Sequence, residues 1–322
     1  MKNDFIFITS TMFSRTNGPA NFAMNLFSDR ETRSKLLFLT SDIKEGNEDV
    51  IKVNNKFATF FKPLAMIFSS LDFYLKLKKI NFSTAIWNSS ILSIVSICLM
   101  TNKKHIVFVN DSLSLDVKFK FQYRIIRLWI FKHLEMYTVK KAEKVITNSK
   151  IIKEKIIKKY DINASKIHVL YKGLYLSEIS EFKINFEIDV NKKINITFVK
   201  SDPVVGGLMI LCETLARLKY NFKINVIGPS YLNQKYYNFT NVSINHLGRL
   251  QKKSVYKTLI KSDLFMVPCL NEAFGQANIE AMYSKIPTII MPTIFQKQLH
   301  DSSYCYFPQG LSIRELSETV SD

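Results

Sequence analysis

An α/β protein of two doubly wound, parallel-sheet domains is what this sequence predicts, on three observations. Short apolar runs alternate with amphipathic stretches along the chain, the pattern of strands joined by helical crossovers. The 322-residue length allows two domains of ordinary size, each able to bury a core. A polar, irregular stretch between Gly173 and Asn191 separates two series of strands, so the domains are set at residues 1–180 and 181–322. With 47% hydrophobic and 22% charged residues the chain has a globular composition, which excludes disorder.

In the first domain, Met1 to Ile8 reads as the opening strand and carries no signal-peptide architecture. A loop holding Asn17 and Gly18 follows, then an amphipathic stretch with Phe22, Leu26 and Phe27. Strand, glycine loop and helix in that order bring backbone N–H groups against a phosphate. Further strands are read at Leu36–Leu39, Ala85–Trp87, Ile106–Val109, Lys144–Ser149 and from Ile167. Ligands of such sheets lie off the strand carboxyl ends, where Asn17, Gly18, Asn88, Asn110 and Asp111 fall. The Asn110-Asp111 pair is equally a turn that ends a strand. From Lys118 to Lys159 bases interleave with apolar and aromatic residues, which fits either a core helix with solvated lysines or a helix lying on an acidic membrane surface. The longest apolar stretch, near Ile91–Met100, is too short to span a bilayer.

In the second domain, strands are read at Ile194–Val199, Ile224–Ile227, Val242–Leu247, Ser262–Pro268 and Thr288–Met291, with a short helix over Ile313–Val320. Between the first strand and its helix lies Lys200-Ser-Asp-Pro-Val-Val-Gly206-Gly207. Gly228 and Gly248 close two strands; glycines there suit a base and ribose approaching the backbone, and turn formation alone explains them equally.

The centre of the sequence is Glu272-Ala-Phe-Gly-Gln-Ala-Asn-Ile-Glu280. A helix should start near Gly275, since good helix formers run from Gln276 to Tyr283 and Pro287 lies just beyond. Glu272 then sits in the loop and Glu280 on the second turn, with the helix N-terminus between them. Unpaired N–H groups and a partial positive charge suit a diphosphate, while carboxylates suit sugar and ribose hydroxyls. The bland alternative is a loop acid and a solvated helix acid.

This stretch resembles the signature of the retaining GT-B glycosyltransferases of family 4, also called group 1: an acid, seven residues, a second acid, then a small residue and a proline, here ending at Pro287. Lys285 stands where that family usually ends the helix with glycine. Ser201 and Gly206 stand where it has arginine and lysine on the donor diphosphate, and Asn110 stands where it often has histidine, so no general base is assigned. The resemblance implies two Rossmann-like domains facing across a cleft, an acceptor-binding domain over 1–180 and a nucleotide-sugar-binding domain over 181–322. It implies glycosyl transfer with retention and without metal or cofactor, the nucleotide-sugar being a substrate. Glu272 would hold donor-sugar hydroxyls and orient the departing diphosphate as the catalytic residue, and Glu280 the ribose. The amides of Phe274 and Gly275, with Lys200, Gly206, Gly207, Arg249 and Gly228, would complete the donor site. Asn17, Gly18, Asn110 and Asp111 would form the acceptor or phosphate loop.

Charge adds an expectation about partners. Residues 1–180 hold 29 basic and 15 acidic residues, whereas 181–322 hold 16 and 12, within a total of +18. Such asymmetry fits either a lysine-rich solubilising surface or an anionic partner of the first half, which is nucleic acid, an acidic membrane surface or a phosphorylated acceptor. With the resemblance, it points to a glycan or lipid-linked, otherwise anionic acceptor with peripheral contact to an acidic membrane. No nucleic-acid motif accompanies the charge. The four cysteines have no metal-ligand spacing and read as reduced core residues of a cytoplasmic protein. The resemblance implies a role in cell-surface polysaccharide synthesis, and the charge adds a place at the inner face of the membrane. The second reading is a non-catalytic GT-B subunit that binds a nucleotide or a protein partner, suggested by the absent arginine, lysine and histidine.

Overall fold

The computed structural model describes residues 3–14, 18–43, 48–54, 62–110, 123–171, 173, 191–270, 272 and 274–321. They fall into two compact units, Met1–Gly173 and Leu174–Asp322.

The first unit runs β1 (Asn3–Ile8), α1 (Gly18–Ser28), α2 (Arg30–Lys35), β2 (Leu36–Thr40), β3 (Val50–Lys52), α3 (Lys62–Leu77), β4 (Phe82–Trp87), α4 (Ile94–Leu99), β5 (Lys104–Val109), α5 (Tyr123–Lys141), β6 (Lys144–Thr147), α6 (Lys150–Tyr160) and β7 (Ile167–Val169). Its strands pair in parallel in the order β3-β2-β1-β4-β5-β6-β7. Helices cover the faces, so the strands are nearly continuous in apolar residues. Phe7, Phe27 and Phe38 pack at ring separations of 5.7 and 5.4 Å beside Met12 and Val50. The chain leaves β1 in one direction and returns to pair β4 on its other side, which opens a crevice outside the carboxyl ends of β1 and β4.

The second unit repeats this logic with β8 (Ile194–Val199), α7 (Leu208–Ala216), β9 (Phe222–Ile227), β10 (Val242–Gly248), α8 (Lys252–Leu259), β11 (Leu264–Met266), α9 (Gln276–Tyr283), β12 (Thr288–Ile289), α10 (Ile294–Leu299) and α11 (Ile313–Ser321). The strand order is β10-β9-β8-β11-β12, all parallel, so the reversal falls between β8 and β11. Ile196, Phe198, Leu211, Val226 and Phe265 form its core with exposures near zero.

Several elements differ from the sequence reading. β3 and α10 were not anticipated: the first is a three-residue edge strand and the second a six-residue helix, both too short to show a period. α5 begins at Tyr123, and Lys118–Gln122 lie outside the described residues. Its last turns belong to the core, with Thr138 and Val139 fully buried, while Trp129 stays 37% exposed. Cys98 is exposed, its sulfur 3.3 Å from the Tyr137 hydroxyl, because α4 turns that side outward; the other three cysteines are buried. Among the described residues no helix is long and apolar enough to cross a membrane.

α9 ends in a Schellman motif: Ile286 N–H donates to Ala281 O at 3.0 Å, and Lys285 N–H to Met282 O at 2.9 Å. The motif places Lys285 at φ 57°, where a Cβ crowds the following carbonyl. Lys285→Gly should therefore raise the unfolding free energy by about 0.5–1 kcal/mol, read by chemical denaturation. Asp161→Gly, at φ 53°, should gain less, because aspartate tolerates this conformation better.

His105 predicts an acid limit to stability. Its buried ring accepts the Trp87 indole N–H on Nδ1 at 3.1 Å, and Nε2 lies 3.2 Å from Met100 O, so the neutral Nε2–H form fits and an Nδ1 proton would meet the indole. Burial lowers its pKa below the ordinary 6.5, against the opposing pull of the Met100 carbonyl. A histidine depressed in the fold contributes stability above the unfolded value and loses it as pH falls below about 6.5. The wild type should lose up to ~1.4 kcal/mol per pH unit more than His105→Gln over that window, measured as denaturation midpoints at pH 7.5 and 5.5.

Candidate functional site

The reversal between β8 and β11 brings the charged residues of the second unit together. Lys200 follows β8 directly, its N–H donating to Ile227 O at 3.0 Å, and its ammonium lies on Glu272 Oε2. Both side chains are 23% exposed. Burial pulls the Lys200 pKa down, but the Glu272 carboxylate and Cys269 outweigh it and hold the ammonium above the ordinary lysine range. The other Glu272 oxygen accepts from Gly275 N–H at 3.3 Å, at the threshold of α9.

Glycines make this packing feasible. Gly228 has φ 121°, and a Cβ there would sit 2.5 Å from Lys200 O; Gly206 lies against the Phe198 ring and the Lys200 stem, where a Cβ would come within 2.5 and 2.9 Å. Gly207 and Gly275 also have positive φ, and a Cβ on Gly207 would meet Pro268 O at 2.4 Å. Beneath the Glu272 loop, Asn278 Nδ2 donates to Gln296 Oε1 at 3.1 Å and Gln296 Nε2 donates to Glu272 O at 3.3 Å. Both amides are buried, so the loop rests on a fixed polar support.

A second ion pair lies on the second turn of α9. Glu280 is 1% exposed and its Oε1 meets the ammonium of Lys252, the first residue of α8, itself 17% exposed.

In the first unit the carboxyl strand ends carry a row of asparagines. Asn88 Nδ2 donates to Thr9 Oγ1 at 3.2 Å and Pro19 O at 2.9 Å; Asn110 Nδ2 donates to Asn88 O at 2.8 Å, and Asn148 Nδ2 to Asn110 O at 2.8 Å. The row ties together the ends of β1, β4, β5 and β6.

Comparison with known proteins bears on the family and the fold. Residues 30–178 match the family described as Glycosyltransferase Family 4, and residues 180–303 match Glycosyl transferases group 1. The chain belongs to the GT-B glycosyltransferases. A sucrose-phosphate synthase from Thermosynechococcus elongatus superposes with a TM-score of 0.76 at 13% identity, over 99% of this chain and 89% of that one. WaaG, a glycosyltransferase involved in lipopolysaccharide biosynthesis, superposes with 0.72 at 16% identity, over 98% and 89%. Anabaena HepE in complex with UDP and glucose gives 0.68 at 15% identity, over 99% and 89%. In sequence, the O-antigen chain mannosyltransferase RfbU of Salmonella typhimurium is 27% identical over 50% of this chain and 45% of its own length, so the match spans less than half of that relative.

Within this GT-B chain, the structure gathers Glu272, Phe274, Gly275, Lys200, Gly206, Gly207 and Gly228 around one strand-end region, with Glu280 on α9. Phe274 is buried. The amides of Gly206 and Gly207 are engaged by Asp202 O at 2.9 Å and Val204 O at 3.1 Å, so these glycines serve close packing and are not spare phosphate donors. Arg249 is exposed just past β10. Gly18 opens α1, and Asn17 and Asp111 lie outside the described residues.

Sequence reasoning missed Lys252, Gln296 and the support role of Asn278. Lys252 lies 28 positions before its partner in a lysine-rich helix start, and only the tertiary fold distinguishes it from solvated neighbours. The pair predicts an asymmetry. Lys252→Met leaves a buried carboxylate without its cation and should cost about 3 kcal/mol, while Glu280→Gln should cost less, because Lys252 can reach water. Denaturant midpoints of both variants, with Lys252→Met/Glu280→Leu as the double variant recovering much of the loss, check it.

Proposed function

We propose that this chain moves a sugar from a nucleotide-sugar to a glycan or lipid-linked acceptor with retention of configuration, the second unit binding the donor. The observation that carries the reading is the pair of carboxylates bracketing the first turns of α9, each matched with a lysine at a strand or helix end. In this reading Glu280 accepts the ribose hydroxyls, its charge offset by Lys252. Glu272 is the group that holds donor-sugar hydroxyls. When the bond from the anomeric carbon to the diphosphate breaks, the electron pair leaves with the diphosphate, and a preformed cation nearby lowers the barrier. Lys200 is that cation: its raised pKa keeps it charged at neutral pH, and it exchanges Glu272 for the diphosphate as the donor binds. Arg249, exposed and close in sequence to β10, is the second candidate counter-charge. With protein cations in this role, transfer needs no metal.

The names of the relatives support an acceptor in lipopolysaccharide or O-antigen synthesis, and HepE's complex with UDP and glucose supports a uridine-linked donor. The basic first half supports work at the acidic inner face of the cytoplasmic membrane.

Calorimetry with UDP-, GDP- and CMP-sugars should show one nucleotide class binding, with the affinity lost in Glu280→Ala. Lys200→Ala should then lower kcat for donor turnover by about 10²-fold or more with a smaller change in KM, and a chelator should leave wild-type turnover intact. Binding without turnover would favour the non-catalytic reading.

A further inference from the structure

Each of α3, α4, α5 and α6 runs back to the amino end of the strand that follows it, so their C-termini gather at the starts of β4, β5, β6 and β7. This pole of the first unit is opposite the asparagine row. It is strongly basic: the six residues before each of these strands, with the first residue of the strand, hold nine lysines, three at β4, two at β5, three at β6 and one at β7, against two acids, Glu143 and Asp161. Three of the lysines serve the fold. Lys103 and Lys166 donate to Phe82 O and Lys140 O at 2.5 and 2.6 Å, and Lys104 lies 3.5 Å from Glu143. The other six, Lys76, Lys78, Lys79, Lys140, Lys141 and Lys144, are exposed.

The same pole carries apolar side chains that the core does not use. Leu75 on the last turn of α3 is 50% exposed, Leu99 at the end of α4 60%, and Tyr137 near the end of α5 41%. Exposed Cys98 joins the last two helices, its sulfur 3.3 Å from the Tyr137 hydroxyl. A lysine at a helix C-terminus has a local reason, since it complements the helix dipole, and the lysines alone would carry nothing. Exposed leucines have no such reason. Mixed with cations, they describe a surface that takes anionic headgroups and the apolar boundary beneath them. A nucleic acid would use the cations and leave the leucines in water.

We propose that this pole is a foot on which the first unit stands on an acidic lipid surface, the lysines on headgroups and Leu75, Leu99 and Tyr137 in the interface. The unit then stands on end. α5 rises from the bilayer instead of lying along it, and Trp129, twelve residues before Lys141, sits about 18 Å above the foot. The carboxyl strand ends, one six-residue strand higher, are about 20 Å off the lipid. In the transfer proposed above, on which this last step rests, the acceptor within reach is the outer end of a glycan that already projects from the membrane, not a sugar joined directly to the lipid.

The test is flotation of the full chain with vesicles, followed by fluorescence on the bound protein. Phosphatidylcholine with about 30% phosphatidylglycerol should retain the chain at low salt, and phosphatidylcholine alone should not. A lysine near such a surface is worth about fivefold in binding, so Lys78→Glu/Lys79→Glu and Lys140→Glu/Lys141→Glu should each weaken it at least about twentyfold. Lys52→Glu/Lys150→Glu makes the same charge change on exposed residues at the opposite pole and should leave binding nearly unchanged, because screening confines the attraction to the nearest charges. Leu99→Asp should weaken vesicle binding and leave binding to heparin, a polyanion without an apolar layer, as it was. Orientation is read from the native tryptophans: Trp87 is buried and Trp129 stands clear of the foot, so brominated lipid should leave their emission intact and quench the added emission of Leu99→Trp. No retention by acidic vesicles, an equal loss in the opposite-pole variant, an unaltered Leu99→Asp, or quenching of the native chain would each overturn the proposal. None of these readouts uses a nucleotide-sugar, so absent donor binding would defeat the proposed reaction and not the foot.

Discussion

The ammonium of Lys200 and the carboxylate of Glu272 meet across the reversal point of the second sheet, and the surrounding backbone is arranged to allow that meeting. Lys200 can approach because Gly228 and Gly206 leave room for its backbone and stem. Glu272 is held because its carbonyl rests on Gln296, which rests on Asn278, and because its carboxylate takes the Gly275 amide. The low-dielectric setting strengthens the attraction and fixes the loop before any ligand arrives.

The two units share one winding rule but furnish their strand ends differently. The second unit places full charges there, each lysine matched to a carboxylate, which suits a ligand carrying both phosphates and hydroxyls. The first unit places neutral amides there, hydrogen-bonded in series. One topology can carry strand ends of different chemistry because the fold fixes where a site lies and the side chains fix what it takes.

Most strands were legible in the sequence because buried parallel strands are short, apolar and β-branched, as Ile194–Val199 illustrates. The strand–loop–helix around Glu272 and Glu280 was legible through its glycine and its helix formers, and Lys285 stood out as a residue where glycine is expected. β3 and α10 were not legible, since three and six residues cannot establish a period. Gly206 and Gly207 looked like phosphate-binding amides, but a glycine-rich loop has the same composition whether it cradles a ligand or packs against Phe198 and Pro268. Lys252 was invisible for another reason: its neighbour Lys253 is chemically identical, and only the direction of α8 decides which lysine reaches Glu280.

The account turns on Lys200 changing partners, from Glu272 to a diphosphate. The most direct measurement is a crystal structure of the full chain with the nucleoside diphosphate that calorimetry selects. The account predicts the Lys200 ammonium within hydrogen-bonding distance of a phosphate oxygen, Glu272 released from it, and the ribose on Glu280. A bound nucleotide with Lys200 still on Glu272, or with the ribose away from Glu280, would contradict it.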